Sequence, residues 1–190
     1  MSITAAHVQL DTTTQFPPSS SGGAVARLDT ATLAEIVNGL AQAEVLWRPH
    51  VLHDPDERAR VRLLATPAYE VWLLGWTPGQ VVGLHDHGGA NAAFFVVDGT
   101  LTETAAADPD ARLDRALIER SINAGQAGLV EAGHVHDIAN RSASLATSIH
   151  AYSKPLQSMG FHDSLEHRCA GTRSHALGRA ETAVLDDVHA

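Results

Sequence analysis

The amino-acid sequence predicts an all-β core with helices ahead of it, and three observations carry that expectation. From Tyr69 to Ser153 the chain breaks into short apolar or alternating runs separated by glycine and proline turns, which is the pattern of a sandwich or a closed barrel. Ahead of that region, Leu33, Ile36, Val37 and Leu40 recur at helical spacing behind Asp29 and Thr30, either of which can cap a helix. Two histidine-bearing segments, each framed by glycines, then follow in order within the β region, as two halves of one barrel.

Residues 1–27 are small, polar and turn-forming, with Pro17-Pro18-Ser19-Ser20-Ser21-Gly22-Gly23, and read as a loose arm. Residues 28–165 read as one domain and 166–190 as a polar tail, either a peripheral helix or mobile. Within the domain, Val45-Leu46-Trp47 suggests a second helical piece before Pro49, and Glu57 to Leu64 a short helix or the first strand. Glu70 to Trp76 reads as a buried strand stopped by Pro78-Gly79. Ala92 to Val97 is an apolar run closed by Asp98-Gly99, a hairpin-type dipeptide. Residues 105–112 form an acidic, alanine-rich loop; strands are expected over Leu113–Ile122, Ala127–Glu131, His134–Asn140 and Leu145–Ser153.

Composition excludes several classes of function. A formal charge of −9 argues against a nucleic-acid partner, which needs clustered Lys and Arg. No apolar run approaches membrane-spanning length, and no basic segment followed by an apolar core marks a secretory signal. Cys169, the one cysteine, rules out an internal disulfide and fits a reducing compartment. A cytoplasmic monomer or small homo-oligomer acting on a small molecule is expected.

The chemistry sits in the two framed segments. His85-Asp86-His87 places two imidazoles on one face of a strand, where they can grip one metal ion. Gly88-Gly89 allows the backbone to turn at once. The intervals Gly79, His85, His87, Gly99 match the first signature of the cupin superfamily, and Gly125, Glu131, Gly133, His136, Asn140 match the second, with Glu131 standing where that pattern has proline. That resemblance implies a jelly-roll-like cupin β-barrel and makes His136 the third ligand. His134, two residues earlier, reads as a group behind the ligands or at the surface. His7, His50, His162, His167, His175 and His189 have no spacing argument and are expected to be solvated. Further on, Ser148, His150 and Tyr152 share one strand face and Ile149 and Ala151 the other; alternation alone leaves open whether the polar row faces a cavity or solvent.

From Arg62 to Pro155 the chain resembles the cysteine dioxygenase family of thiol dioxygenases. The residues that carry the likeness are His85-Asp86-His87 with Asn91-Ala92 where other cupins place a glutamate, His136-Asp137-Ile138-Ala139-Asn140, and Ser148-Ile149-His150-Ala151-Tyr152-Ser153. Trp47-Arg48-Pro49 also resembles bacterial members. The resemblance implies mononuclear iron(II) held by His85, His87 and His136, a thiol substrate and dioxygen as partners, and conversion of L-cysteine to cysteine sulfinate. It gives Ser148, His150 and Tyr152 a relay role and assigns the substrate carboxylate to an arginine, best matched by Arg62, with Arg60 competing. In the related mercaptopropionate dioxygenases glutamine takes that place, so arginine leans towards cysteine. Two departures stand out. Ala92 replaces the cysteine that animal members crosslink to the tyrosine matched by Tyr152, and Ser153-Lys154-Pro155 replaces Ser-Pro-Pro, which removes the possibility of a cis Ser-Pro bond at 154. The alternatives are a dioxygenase for another small thiol acid, such as 3-mercaptopropionate, or a non-catalytic metal- or ligand-binding cupin. The Ser148-His150-Tyr152 row speaks against the last.

Overall fold

In the computed structural model, the described residues are 25–106, 117–162 and the short strand 173–176. Helix α1 (Thr30–Gln42) starts where Asp29 accepts a hydrogen bond from the Thr32 backbone N–H, so Asp29 is the cap, and α2 (Glu44–Trp47) follows directly. The β region opens with β1 (Arg60–Ala65) and β2 (Glu70–Trp76), then β3 (His85–Asp86), β4 (Asn91–Asp98), β5 (Thr100–Ala106) and β6 (Leu117–Asn123). It continues with β7 (Ala127–Val130), β8 (His136–Ala139), β9 (Ala146–Ser153), β10 (Ser158–Phe161) and β11 (Arg173–Ala176). Two antiparallel sheets result, in the orders β1-β2-β9-β4-β7 and β11-β10-β3-β8-β5-β6. This is the jelly-roll-like cupin core that the sequence predicts.

The central strands β2, β9 and β4 of the five-stranded sheet are buried on both faces, which is why β2 and β4 read as near-continuous apolar runs rather than alternating ones. Val71 and Leu73 of β2, Ala93 and Phe95 of β4, and Ile149 and Ala151 of β9 pack under Leu33, Val37 and Ala41 of α1. The opposite face carries Leu74, Trp76, Ala92, Phe94, Val96 and Tyr152 into a second cluster, with Leu101, Ile122 and Ile138 from the facing sheet. The helix therefore covers the outer face of β9, and the Ser148-His150-Tyr152 row is turned inward. Alternation alone could not decide this, because the helix makes the outer face as dry as the inner one.

Three expectations change. Asp98-Gly99 does not close a hairpin: β4 pairs with β7 and β9, while β5 pairs with β6 and β8, so the chain crosses from one sheet to the other at Gly99. Gly99 has φ +77, and a Cβ there would lie 2.4 Å from the Leu145 carbonyl oxygen; a corner this tight calls for glycine. The Ser153–Lys154 peptide bond is cis although residue 154 is not proline. Residues 173–176 pair with β10 as a strand, where a helix or a tail was expected. The arm before residue 25 and Cys169 lie outside the described residues.

The two framed segments meet in space. The Gly79 N–H donates to the Asn140 carbonyl, and the buried Asn140 side chain donates to the carbonyls of Trp76 and Ser144. Glu131, the departure from proline, accepts a 2.7 Å hydrogen bond from Thr30 and so ties the start of α1 to the end of β7.

Candidate metal centre and its cavity

β3 and β8 are neighbours, with His85 directly opposite His136, and the segment after β3 brings His87 to the same place. All three side chains are buried, and one ligand nitrogen from each lies within 4.8 Å of the others. His134, two residues before His136, is not in the group; its ring lies 6.4 Å from that of His136.

Each imidazole is oriented by its second nitrogen or left open for a ligand. His85 Nδ1 lies 2.8 Å from the Gly83 carbonyl, so Nδ1 carries the hydrogen and Nε2 is bare. His136 Nδ1 lies 2.8 Å from Glu103 Oε1, which leaves Nε2 buried without a hydrogen-bond partner. His87 Nδ1 is likewise buried and unpartnered. Buried bare nitrogens are costly unless something coordinates them. Burial, the largest cause, holds His85 down to about 3 and His87 well below the usual imidazole value, so their lone pairs stay available. These residues fit a divalent metal of the imidazole-preferring kind. Glu103 is itself clamped by Arg120, giving the carboxylate–histidine pairing that commonly fixes a ligand ring.

Behind the triad, the Trp76 indole donates to Ser148 Oγ at 2.9 Å, Ser148 Oγ lies 2.8 Å from His150 Nε2, and the Tyr152 hydroxyl lies 3.3 Å from His150 Nδ1. An indole can only donate. The Ser148 hydroxyl, fully buried, has no other acceptor than His150 Nε2 among the described residues. His150 therefore carries its hydrogen on Nδ1, facing the Tyr152 oxygen, and the phenolic hydrogen is left to point elsewhere. Burial keeps His150 neutral and pushes the Tyr152 hydroxyl above its usual value. Ala92 sits directly opposite Tyr152 in the sheet, so the position of the crosslinking cysteine is in place without its sulfur.

Three arginines form a row. Arg60 and Arg62 of β1 pair with Leu74 and Trp72 of β2, and Arg58, two residues earlier, lies over the Trp76 ring at 4.9 Å. Arg62, the expected carboxylate partner, does not line the cavity. It lies over Trp72 and is 3.8 Å from the buried carboxylate of Glu70. Arg58 and Arg60 do line it, together with Trp72, Trp76, His85, His87, His136, His150, Tyr152 and Met159. Arg58 Nε is buried without a hydrogen-bond partner. The sequence carried this signal in the alternation Arg58-x-Arg60-x-Arg62 opposite Trp76-x-Leu74-x-Trp72, but nothing in it showed that Glu70 neutralises the last arginine. His162, expected to be solvated, is instead buried and 2.7 Å from Asp86 between the two ligands. It latches β10 against the metal-binding segment.

The buried histidines make a pH prediction. Unfolded histidines take up a proton near ~6.5, whereas in the folded protein His85 does so only at about 3 and His150 also well below normal. Between those values the unfolded chain binds more protons, so stability rises with pH. For metal-free protein, the unfolding free energy is expected to climb from about pH 4 to 6.5, each such histidine adding up to ~1.4 kcal/mol per pH unit. Urea denaturation across that range checks this, and His150→Gln should lose about one proton's share of the slope. An unchanged slope in that variant contradicts it.

The model of the family described as cysteine dioxygenase type I matches residues 24–164. A conserved protein from Klebsiella pneumoniae with a double-stranded β-helix domain superposes with TM-score 0.51 at 17% identity, over 62% of this chain and 94% of that one. A protein from Thermus thermophilus gives 0.49 at 19%, over 57% and 93%. A cupin superfamily protein from Desulfitobacterium hafniense gives 0.45 at 13%, over 57% and 87%. No curated protein matches the chain. No helix among the described residues is long and apolar enough to cross a membrane.

Proposed function

Because the chain belongs to the cysteine dioxygenase type I family, we propose that it is an iron(II)-dependent dioxygenase that oxidises the thiol of a small thiol acid to the sulfinate, with L-cysteine as the substrate the family implies. The reaction balances as one thiol plus one dioxygen giving one sulfinic acid, with both oxygen atoms placed on sulfur. The observation that carries the reading is the triad of buried, converging histidines, two of them with a buried unpartnered ring nitrogen, lining one cavity with His150, Tyr152 and two arginines.

His85, His87 and His136 would hold the iron, which supplies a redox-active cation where thiolate and dioxygen can meet. With three neutral ligands and no carboxylate among them, the centre keeps its full positive charge, which favours an anionic sulfur. Glu103 and the Gly83 carbonyl fix the rings of His136 and His85. Tyr152, with its oxygen held by His150, is left to donate its phenolic hydrogen to the substrate side. Arg58 and Arg60 take the carboxylate, the role moving from Arg62 because Glu70 already faces that guanidinium. No Asp or Glu among the described residues lines the cavity, so a substrate ammonium group not taken up as a neutral amine by the metal finds no counter-ion among them. That observation favours a second reading, in which the substrate is a thiol acid without an amine, such as 3-mercaptopropionate. Metal analysis with oxygen uptake across a thiol panel tests both, and failure to consume oxygen with any thiol after iron loading sinks the proposal.

Tyr152→Phe should retain iron, since the hydroxyl touches His150 rather than a ligand nitrogen. It should slow turnover by roughly tenfold or more, the usual scale for a positioned proton donor, or leave oxygen uptake uncoupled from sulfinate. Oxygen consumption and sulfinate measured together check this; a fully active, fully coupled variant removes Tyr152 from the mechanism.

A further inference from the structure

Resting on the thiol dioxygenase reading, we propose that Arg58 and Arg60 together form a subsite for two acidic groups, so that the preferred substrate is a small thiol carrying two carboxylates rather than cysteine. Three arginines share the cavity-side face of one strand and its lead-in, yet only Arg62 has a buried carboxylate beside it, that of Glu70. Arg60 reaches Glu57 at 3.5 Å, but both side chains are exposed, at 42% and 78%, and a pair of that kind contributes little. Arg58 has no ion pair among the described residues, and its Nε is buried and unpartnered.

Two guanidinium groups thus line one cavity that no acidic side chain among the described residues lines. Arg58 is the more buried of the two, and burial together with Arg60 pulls its guanidinium below its usual value. The charge of Arg58 is stabilised by a ligand of the opposite sign, and the more exposed Arg60 lines the same cavity with no buried counter-ion of its own. A monocarboxylate supplies one countercharge for two cations, whereas a thiol with two carboxylates supplies one for each. Guanidinium forks suit carboxylates bidentately.

The probe is 2-mercaptosuccinate, compared with 3-mercaptopropionate and mercaptoacetate, each of which keeps the thiol and one of its two carboxylates, and with L-cysteine. Oxygen uptake by the iron-loaded protein should give a specificity constant at least tenfold higher for the diacid. In Arg60→Gln the ratio of diacid to monoacid constants should fall at least tenfold, while Arg60→Lys, which keeps the charge, should retain most of the preference. Calorimetry with thiol-free ligands gives a readout independent of turnover: succinate should bind at least tenfold more tightly than propionate, and Arg60→Gln should abolish the difference. Equal constants for diacid and monoacids, with succinate no tighter than propionate, overturn the subsite and leave the dioxygenase reading standing. If no thiol is oxidised but succinate is still preferred, the dioxygenase reading falls and the anion subsite stands.

Discussion

Protein carrying alanine at His136 is expected to purify with little iron and to consume almost no oxygen with any thiol, whereas His134→Ala should keep both. His136 meets His85 across the β3–β8 pairing, and its Nε2 is buried with no partner of its own. His134 lies outside the group of nitrogens that converge. Losing His136 removes one of three converging donors, and Glu103 stands behind that ring rather than among them. Metal content by mass spectrometry, oxygen uptake and the circular dichroism of each variant separate loss of metal from loss of fold. The prediction is stringent because the two histidines are two residues apart; retention of iron by His136→Ala with its loss from His134→Ala would reverse the assignment of the third ligand.

The convergence of the three histidines was legible in the sequence, the first two from strand spacing and the third from the resemblance to the second cupin signature. His85 and His87 sit two apart, and the glycine intervals place His136 in the opposing half of the barrel. The direction of the Ser148 row was not legible, since a strand under a helix is apolar on both faces and its polarity pattern no longer marks the inside. The end of β4 misled for a related reason: Asp98-Gly99 supplies the dihedral freedom for a turn, but whether the next strand pairs back or crosses to the other sheet depends on the partners β7 and β8, far along the chain. Glu103 and His162 were missed because each acts through a single long-range contact, to His136 and Asp86, and a lone contact leaves no periodic trace.

The arginine row shows the same limit with more at stake. The resemblance chose Arg62 with Arg60 competing, and Arg58, two residues earlier in the same alternation, was passed over. A charge already beside Glu70 has less to offer a ligand than one without a counter-ion, and that difference depends on where β2 begins. Arg58→Ala is therefore expected to lower the specificity constant for cysteine, 3-mercaptopropionate or any thiol acid that the protein oxidises by roughly 10- to 100-fold. Hydrogen bonds to charged groups contribute about 1.5–3 kcal/mol, and ~1.4 kcal/mol corresponds to a factor of ten. Cysteamine, which has thiol and amine but no carboxylate, should be a poor substrate for the wild type and lose little further in the variant, because it never used the guanidinium. Arg58 also stacks on Trp76, whose indole anchors Ser148, so Arg58→Lys serves as the companion: it keeps a cation while surrendering the planar fork, and should fall between wild type and alanine. Steady-state oxygen uptake on the acids and on cysteamine reads these three proteins and Arg62→Ala. If Arg58→Ala turns over every acid like the wild type while Arg62→Ala does not, the carboxylate belongs to Arg62 after all, and Glu70 must move away from it when substrate enters.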